Sequence, residues 1–103
     1  MDRIAILTEI LARNGDDILA RYGLAMEFSK QGDIERALTE FRQLIAKKPD
    51  YAASYFMAAQ ALAKENRIEE AHRMLEDGIM AANRSGDAHA ASEMQAMLAE
   101  LEG

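Results

Sequence analysis

The chain of 103 residues contains no cysteine, no tryptophan and a single proline. Without cysteine, a disulfide framework, a thiolate nucleophile and a zinc–thiolate site are all excluded. No eighteen apolar residues run together, so no membrane span is predicted. The first residues lack a basic stretch followed by a long apolar run, and we therefore expect no secretory signal. These absences favour a soluble, cytoplasmic protein that binds no membrane.

Basic charge is also scarce. Twelve lysine and arginine residues stand against eighteen aspartate and glutamate residues, and the net charge is −6. Residues 85–103 contain four acidic residues and no lysine or arginine. Contacts from basic side chains to phosphates dominate nucleic-acid affinity. DNA and RNA are therefore not expected partners.

Apolar residues are abundant and they follow a helical spacing. Half of the residues are hydrophobic, and most of these are alanine, leucine or methionine, which are strong helix formers. The length of the chain fits one small domain. Apolar positions recur at i, i+3, i+4 and i+7 along most of the chain. This pattern predicts an all-α domain with helices over 2–13, 17–31, 34–47, 51–65 and 67–83, and a sixth helix after Asp87.

Turn-forming residues separate these helices. Gly32 and Asn66 are predicted to adopt the left-handed conformation that ends a helix, because glycine enters it freely and asparagine is its commonest substitute. Pro49 prevents the third helix from continuing. The predicted N-caps are Asp16 or Asp17, Asp33, Asp50 and Asp87. Short connections between the helices predict antiparallel neighbours.

The pattern of apolar and turn residues repeats every 34 residues. Leu24, Phe28 and Gly32 fall on Ala58, Leu62 and Asn66 at this offset. A helix–turn–helix unit with this period is typical of tetratricopeptide repeats. The chain resembles that family, in its small single-domain bacterial form, through Leu24, Ala25, Phe28, Gly32, Ala37, Phe41 and Pro49. A looser match runs through Tyr55, Ala58, Ala59, Leu62, Ala71 and Leu75.

The resemblance implies a right-handed α-solenoid of antiparallel helix pairs that forms one domain over 1–103. Its units would be a half repeat at 2–17, full repeats at 18–51 and 52–85, and a capping helix at 86–101. The chain departs from the family pattern at Arg21, where tryptophan is usual, and at Gly78, where alanine is usual. Gly15 and Asn83 stand where proline is usual. We expect these departures to relax the connections and one packing contact.

The resemblance also implies that the first helix of each unit lines a concave groove for a protein partner. The groove residues would be Leu19, Tyr22, Met26, Ser29, Lys30, Ala53, Phe56, Gln60, Ala63 and Lys64, with Ala90, Met94 and Met97 if the capping helix keeps the register. Aromatic anchors, methionines and two lysines suit an apolar or amphipathic peptide with an acidic end. We expect a transient, non-catalytic interaction module such as a scaffold or adaptor.

In chaperone-binding members of the family, lysine, arginine and asparagine in this groove grip a C-terminal carboxylate. The corresponding places here hold Tyr22, Met26, Phe56 and Gln60. The resemblance therefore argues against a chaperone tail as the ligand.

Two alternatives compete with a peptide-binding module. The chain could form a weak homodimer through its terminal helices, using Ile4, Ile6 and Ile10 or Met94, Met97 and Leu101. It could also hold a di-iron site, because Glu69 and His72 with Glu76 resemble one ligand motif of such helical bundles. That site needs a second motif, and His89 has no glutamate three residues before it. No nucleophile motif or phosphate-binding loop is present, so we expect no enzyme, no metal and no cofactor.

Overall fold

The computed structural model describes residues 2–103, which form six helices and no strand. The helices are α1 (Arg3–Arg13), α2 (Ile18–Lys30), α3 (Ile34–Lys47), α4 (Ala52–Lys64), α5 (Ile68–Ser85) and α6 (Ala88–Glu102). Each helix packs against the next one along the chain, and α4 also contacts α2 and α6. The all-α class predicted from the sequence is confirmed. None of these six helices is long and apolar enough to cross a membrane.

Aspartate side chains cap four helix N-termini. Their carboxylates accept hydrogen bonds from backbone N–H groups of the first turn, at distances of 3.0–3.2 Å. The capping residues are Asp2, Asp17, Asp33 and Asp87. The cap predicted at Asp50 is wrong, because α4 has Tyr51 at its N-cap with no side-chain bond. Asp50 lies one residue too early, and its carboxylate accepts a hydrogen bond from Arg84 at 3.0 Å.

Three loops between helices share one backbone geometry. Gly32, Asn66 and Gly86 have φ values of +79°, +60° and +74°, so the left-handed conformation predicted at the first two is confirmed. In each loop the next N–H bonds a carbonyl five residues back, as in a Schellman motif. These bonds join Asp33 to Phe28, Arg67 to Leu62, and Asp87 to Ala82, at 2.9, 2.9 and 2.8 Å. Glycine and asparagine therefore solve the same backbone problem in equivalent loops.

The core consists of small residues where helices approach and large residues between successive helix pairs. Ala25, Ala37, Ala59 and Ala71 have no exposed surface, which lets the paired helices come close. The largest fully buried side chains are Phe41, Leu38, Leu44, Leu62, Leu75 and Met94. They form two adjoining clusters, one centred on α2 and α3 and one on α4, α5 and α6. Stability in such a fold comes from stacking, because no single helix pair buries its own apolar face.

The register of α6 differs from the sequence prediction. Helix α5 continues to Ser85, two residues beyond the predicted end, and closes at Gly86. The starts of α2 and α4 are 34 residues apart, but α6 starts 36 residues after α4. Met94 is therefore equivalent to the inward-facing Ala58, and it is fully buried. The prediction that Met94 lies in the groove is wrong.

The sequence suggested that Gly78 relaxes one packing contact, and this prediction is wrong. The space that a Cβ on Gly78 would occupy is already filled by the side chains of Tyr55 from α4 and Met94 from α6. This glycine is a point of close approach for three helices. Met94 fills the space beside Gly78 and is fully buried.

Candidate functional site

Helices α2, α4 and α6 form a row, with α4 in the middle. Within residues 2–103, α6 contacts α4 and α5 but not α2. The C-terminal helix therefore extends the row and does not fold across the space beside α2. Residues on the open side of this row are the candidate binding surface.

Tyr22 and Met26 on α2 belong partly to the core. The Tyr22 ring meets Phe41 edge-on at 6.4 Å between ring centroids and lies 6.0 Å from the ring of Tyr51. Burial, with a smaller contribution from Tyr51, raises the pKa of the Tyr22 hydroxyl above its ordinary value. Met26 is half-buried and packs against the same apolar cluster. These two side chains support the fold as well as lining the predicted surface.

Phe56 on α4 holds a more open position. It is half-buried and lines two adjoining grooves between α4 and α6, with volumes of about 300 and 380 Å³. Glu93 is the one α6 residue that lines both grooves with it. The first groove also contains Asp50, Tyr51, Ala52, Ala53, Asp87, His89 and Ala90. The second also contains Gln60, Ala96, Met97 and Glu100.

The remaining predicted residues are dispersed along the row. Leu19 is 76% exposed at the start of α2. Ser29 and Lys64 line a narrow gap between the C-terminal ends of α2 and α4. Lys30 and Gln60 are exposed, whereas Ala53, Ala63, Ala90 and Met97 are half-buried. The structure thus brings Ala53, Phe56, Gln60, Ala90 and Met97 together between α4 and α6, and leaves Leu19 outside these grooves.

Sequence reasoning missed four groove residues on α6, namely His89, Glu93, Ala96 and Glu100. At an offset of 34 residues none of these four falls on a predicted groove residue, whereas at 36 residues His89, Ala96 and Glu100 fall on Ala53, Gln60 and Lys64. Glu93 falls on Met57, which was not predicted to line the groove. The predicted caps did not give the offset of 36, because Asp87 lies 37 residues after Asp50, the predicted cap of α4, and 36 residues after Tyr51, its actual N-cap.

Charge is distributed unevenly across this surface. In the described part of the chain, Lys30 and Lys64 form no ion pair, and both lie near the C-terminal ends of α2 and α4. On the α6 side, Glu93 lies 3.4 Å from His89, and Glu100 has no cationic partner in residues 2–103. The grooves between α4 and α6 are therefore bordered by carboxylates.

The histidines do not form a metal site with their neighbours. His72 on α5 lies 3.5 Å from Glu76 and 3.5 Å from Glu102. No group of three or more histidine, cysteine, aspartate or glutamate residues in 2–103 is placed to hold a metal ion. The contact with Glu102 joins the end of α6 to α5.

Comparison with known proteins agrees with the repeat pattern. The family of N-terminal TPR repeats of the surface lipoprotein assembly modifier matches residues 3–75. A TPR repeat-containing protein of Pseudomonas aeruginosa is 29% identical over 96 residues, which cover 93% of this chain and 91% of that protein.

Solved structures show the same fold. A tetratricopeptide repeat domain protein from Salinibacter ruber superposes with a TM-score of 0.78 at 31% identity, covering 84% of this chain and 88% of that one. The type III secretion translocator chaperone of Yersinia enterocolitica gives a TM-score of 0.83 over 96% of this chain and 69% of that one. Its identity of 15% shows the fold alone. The predicted solenoid fold is thereby confirmed, and the chain belongs to the tetratricopeptide repeat family.

Proposed function

We propose that this protein is a non-catalytic interaction module that binds a peptide or helix of a partner protein on the row formed by α2, α4 and α6. The family supports a protein partner, and so does the fold shared with a translocator chaperone. The repeat boundaries and the cytoplasmic location remain predictions. A groove of this size covers little of a partner, so we expect a transient interaction with a micromolar Kd.

The observation that carries this proposal is the position of Phe56. Tyr55 and Leu62 on the same helix are buried, whereas Phe56 is half-buried and lines two grooves. Met97 and Gln60 line the larger groove together with Phe56. Partly exposed aromatic rings in concave surfaces are common anchors in protein interfaces.

A site-specific photocrosslinker tests the proposal. We would place the crosslinker at Gln60, which is exposed in the groove, and at Met80, which is 58% exposed on α5 and lines none of these grooves, as the matched control. A partner from cells that naturally produce the protein should be crosslinked at Gln60 and not at Met80. Phe56→Ala should weaken its capture at least tenfold. Equal crosslinking at both positions would contradict binding in the groove.

A second candidate function is self-association through α1. Ile6 and Ile10 are 40% and 38% exposed, and no residue of α1 is fully buried. In the repeat frame Ile10 corresponds to Leu44 and Gly78, which are buried under the helices packed against them. No described helix covers this face of α1. The alternative patch at the C-terminus is weaker, because Met94 is buried and Leu101 is half-buried.

Sedimentation velocity from about 10 µM to 1 mM separates the two candidates. A dimer that Ile6→Lys together with Ile10→Lys abolishes would establish self-association through α1. A monomer throughout this range would remove that candidate and leave the groove proposal intact.

A further inference from the structure

We propose that the paired grooves between α4 and α6 bind a lysine or arginine side chain of the partner, so that the recognised segment is basic and apolar. This inference rests on the proposed function and specifies its ligand. It follows from an apolar floor and carboxylate walls that meet at Phe56 and Glu93.

The floor of the grooves suits a long aliphatic stem. Phe56 presents a ring to both grooves, and Met97 and Ala96 continue the apolar surface in the larger one. Lysine and arginine commonly lay their methylene groups along apolar surface and keep the charge at its edge. A cation over an aromatic ring gains further attraction from the ring quadrupole.

The walls supply the complementary charge. Glu93 borders both grooves and Glu100 borders the larger one, on the side opposite Phe56. Neither carboxylate contacts a lysine or arginine within the described residues, and residues 85–103 contain none. Pairing of an ammonium or guanidinium group with a carboxylate gives strong hydrogen bonds. The cation that completes this arrangement would come from the partner.

The basic residues near these grooves lie away from Glu93 and Glu100. At one end of the smaller groove, the Lys48 ammonium lies 5.6 Å from the centre of the Tyr51 ring, and Arg84 pairs with Asp50. Lys64 lies in the gap between α2 and α4, beside Glu65. The acidic peptide end expected from the sequence would therefore have to bind near Lys30 and Lys64, away from Phe56. At Phe56 itself the surrounding charge is negative and favours a basic residue.

Selection from a phage library of random 12-residue peptides tests this inference. Peptides enriched on the wild-type protein should carry lysine or arginine next to an aliphatic or aromatic residue. For the best synthetic peptide, Glu93→Gln with Glu100→Gln should raise Kd at least tenfold by fluorescence anisotropy. The matched control, Glu9→Gln with Glu69→Gln, removes the same charge from exposed positions outside the grooves and should leave Kd unchanged.

The outcomes separate this inference from the proposed function. Peptides that need Phe56 but are acidic, or that bind the Glu93 and Glu100 variant as tightly as wild type, would overturn the basic ligand and leave the groove as the binding site. Failure to enrich any peptide would count against both. NMR chemical shift changes confined to α2 would overturn this inference alone, and changes confined to residues outside α2, α4 and α6 would overturn both.

Discussion

Gly78 on α5 lies so close to Tyr55 on α4 that a Cβ built on Gly78 would be 2.6 Å from the Tyr55 Cβ. The Cβ built on Gly78 would also be 2.5 Å from the sulfur of Met94 on α6. Tyr55 cannot easily move aside, because its Cβ is fixed by the backbone and its hydroxyl donates a hydrogen bond to the Pro49 carbonyl at 2.6 Å. The absence of a side chain at position 78 therefore allows α4, α5 and α6 to approach closely.

The first prediction concerns Gly78→Ala. Overpacking of a core commonly costs about 1–3 kcal/mol. Replacing glycine by alanine inside a helix stabilises the fold by up to about 1 kcal/mol, because alanine has the higher helix propensity. We expect a net loss of unfolding free energy, measured by urea denaturation.

Gly23→Ala in α2 is the matched control for this substitution. Its added Cβ would meet the Leu7 methyl groups at 3.4 Å, an ordinary contact distance. We expect this variant to equal or exceed the wild type in stability. If Gly78→Ala behaves in the same way, the close approach seen at Tyr55 does not limit the packing.

The second prediction uses the left-handed loop at Gly32. Apart from Gly32 and its two chain neighbours, no atom lies within 4 Å of the place where a Cβ would be, so substitution there tests backbone conformation alone. Gly32→Ala should cost about 1–2 kcal/mol, the usual penalty for a residue with a Cβ in this region. Gly32→Asn should cost less, because Asn66 occupies the equivalent loop at φ +60°. Equal losses for the two variants in thermal denaturation would show that the loops are not equivalent.

The third prediction concerns the ion pair between α2 and α3. The Arg21 guanidinium lies 2.6 Å from the Glu40 carboxylate, and the side chains are 12% and 16% exposed. Arg21→Met or Glu40→Leu alone leaves a poorly solvated charge, whereas the double variant removes both charges. A double-mutant cycle by urea denaturation should give a coupling energy of about 0.5–3 kcal/mol. Additive losses would mean that the two residues act independently.

The fourth prediction concerns acid stability. A hydrogen bond from Lys47 lowers the pKa of the Asp16 carboxyl, and one from Arg67 lowers the pKa of Glu70. Each carboxyl therefore stabilises the fold above its ordinary pKa of about 4, and this contribution is lost as the pH falls through the lower folded-state pKa. Both groups are exposed, so water screens the effect and it should be modest.

Thermal unfolding of wild type and of Asp16→Asn with Glu70→Gln tests this at pH 7 and at pH 2. We expect the wild type to be more stable at pH 7 and the difference to shrink at pH 2. A difference that is unchanged between the two pH values would exclude these carboxyls as its cause.

Local patterns in the sequence were sufficient for most of the fold. Helix ends at Asp17, Asp33 and Asp87 follow from capping by nearby residues. The loops at Gly32 and Asn66 follow from the few residues that tolerate positive φ. The 34-residue period then identified the helix pairs and the buried alanines between them. The caps and loops depend on residues within a few positions of one another, and the helix pairs depend on the regular spacing of apolar residues.

The candidate site could be predicted only in part. Phe56, Gln60 and Met97 do line a groove between α4 and α6, but Tyr22 and Met26 also pack into the core. Which side of an aromatic residue is covered depends on neighbours from other helices. The repeat period and the residue type do not show how much of a side chain is buried by those neighbours.

The sequence by itself determined the six helices, the loops and the repeat, because each depends on local backbone preference and on the spacing of apolar residues. Only the tertiary structure decided the register of α6, which buries Met94 and brings Glu93 beside Phe56. That register depends on the length of α5 and on the close approach of three helices at Gly78. The register of α6 is therefore determined by contacts between residues that are far apart in the chain.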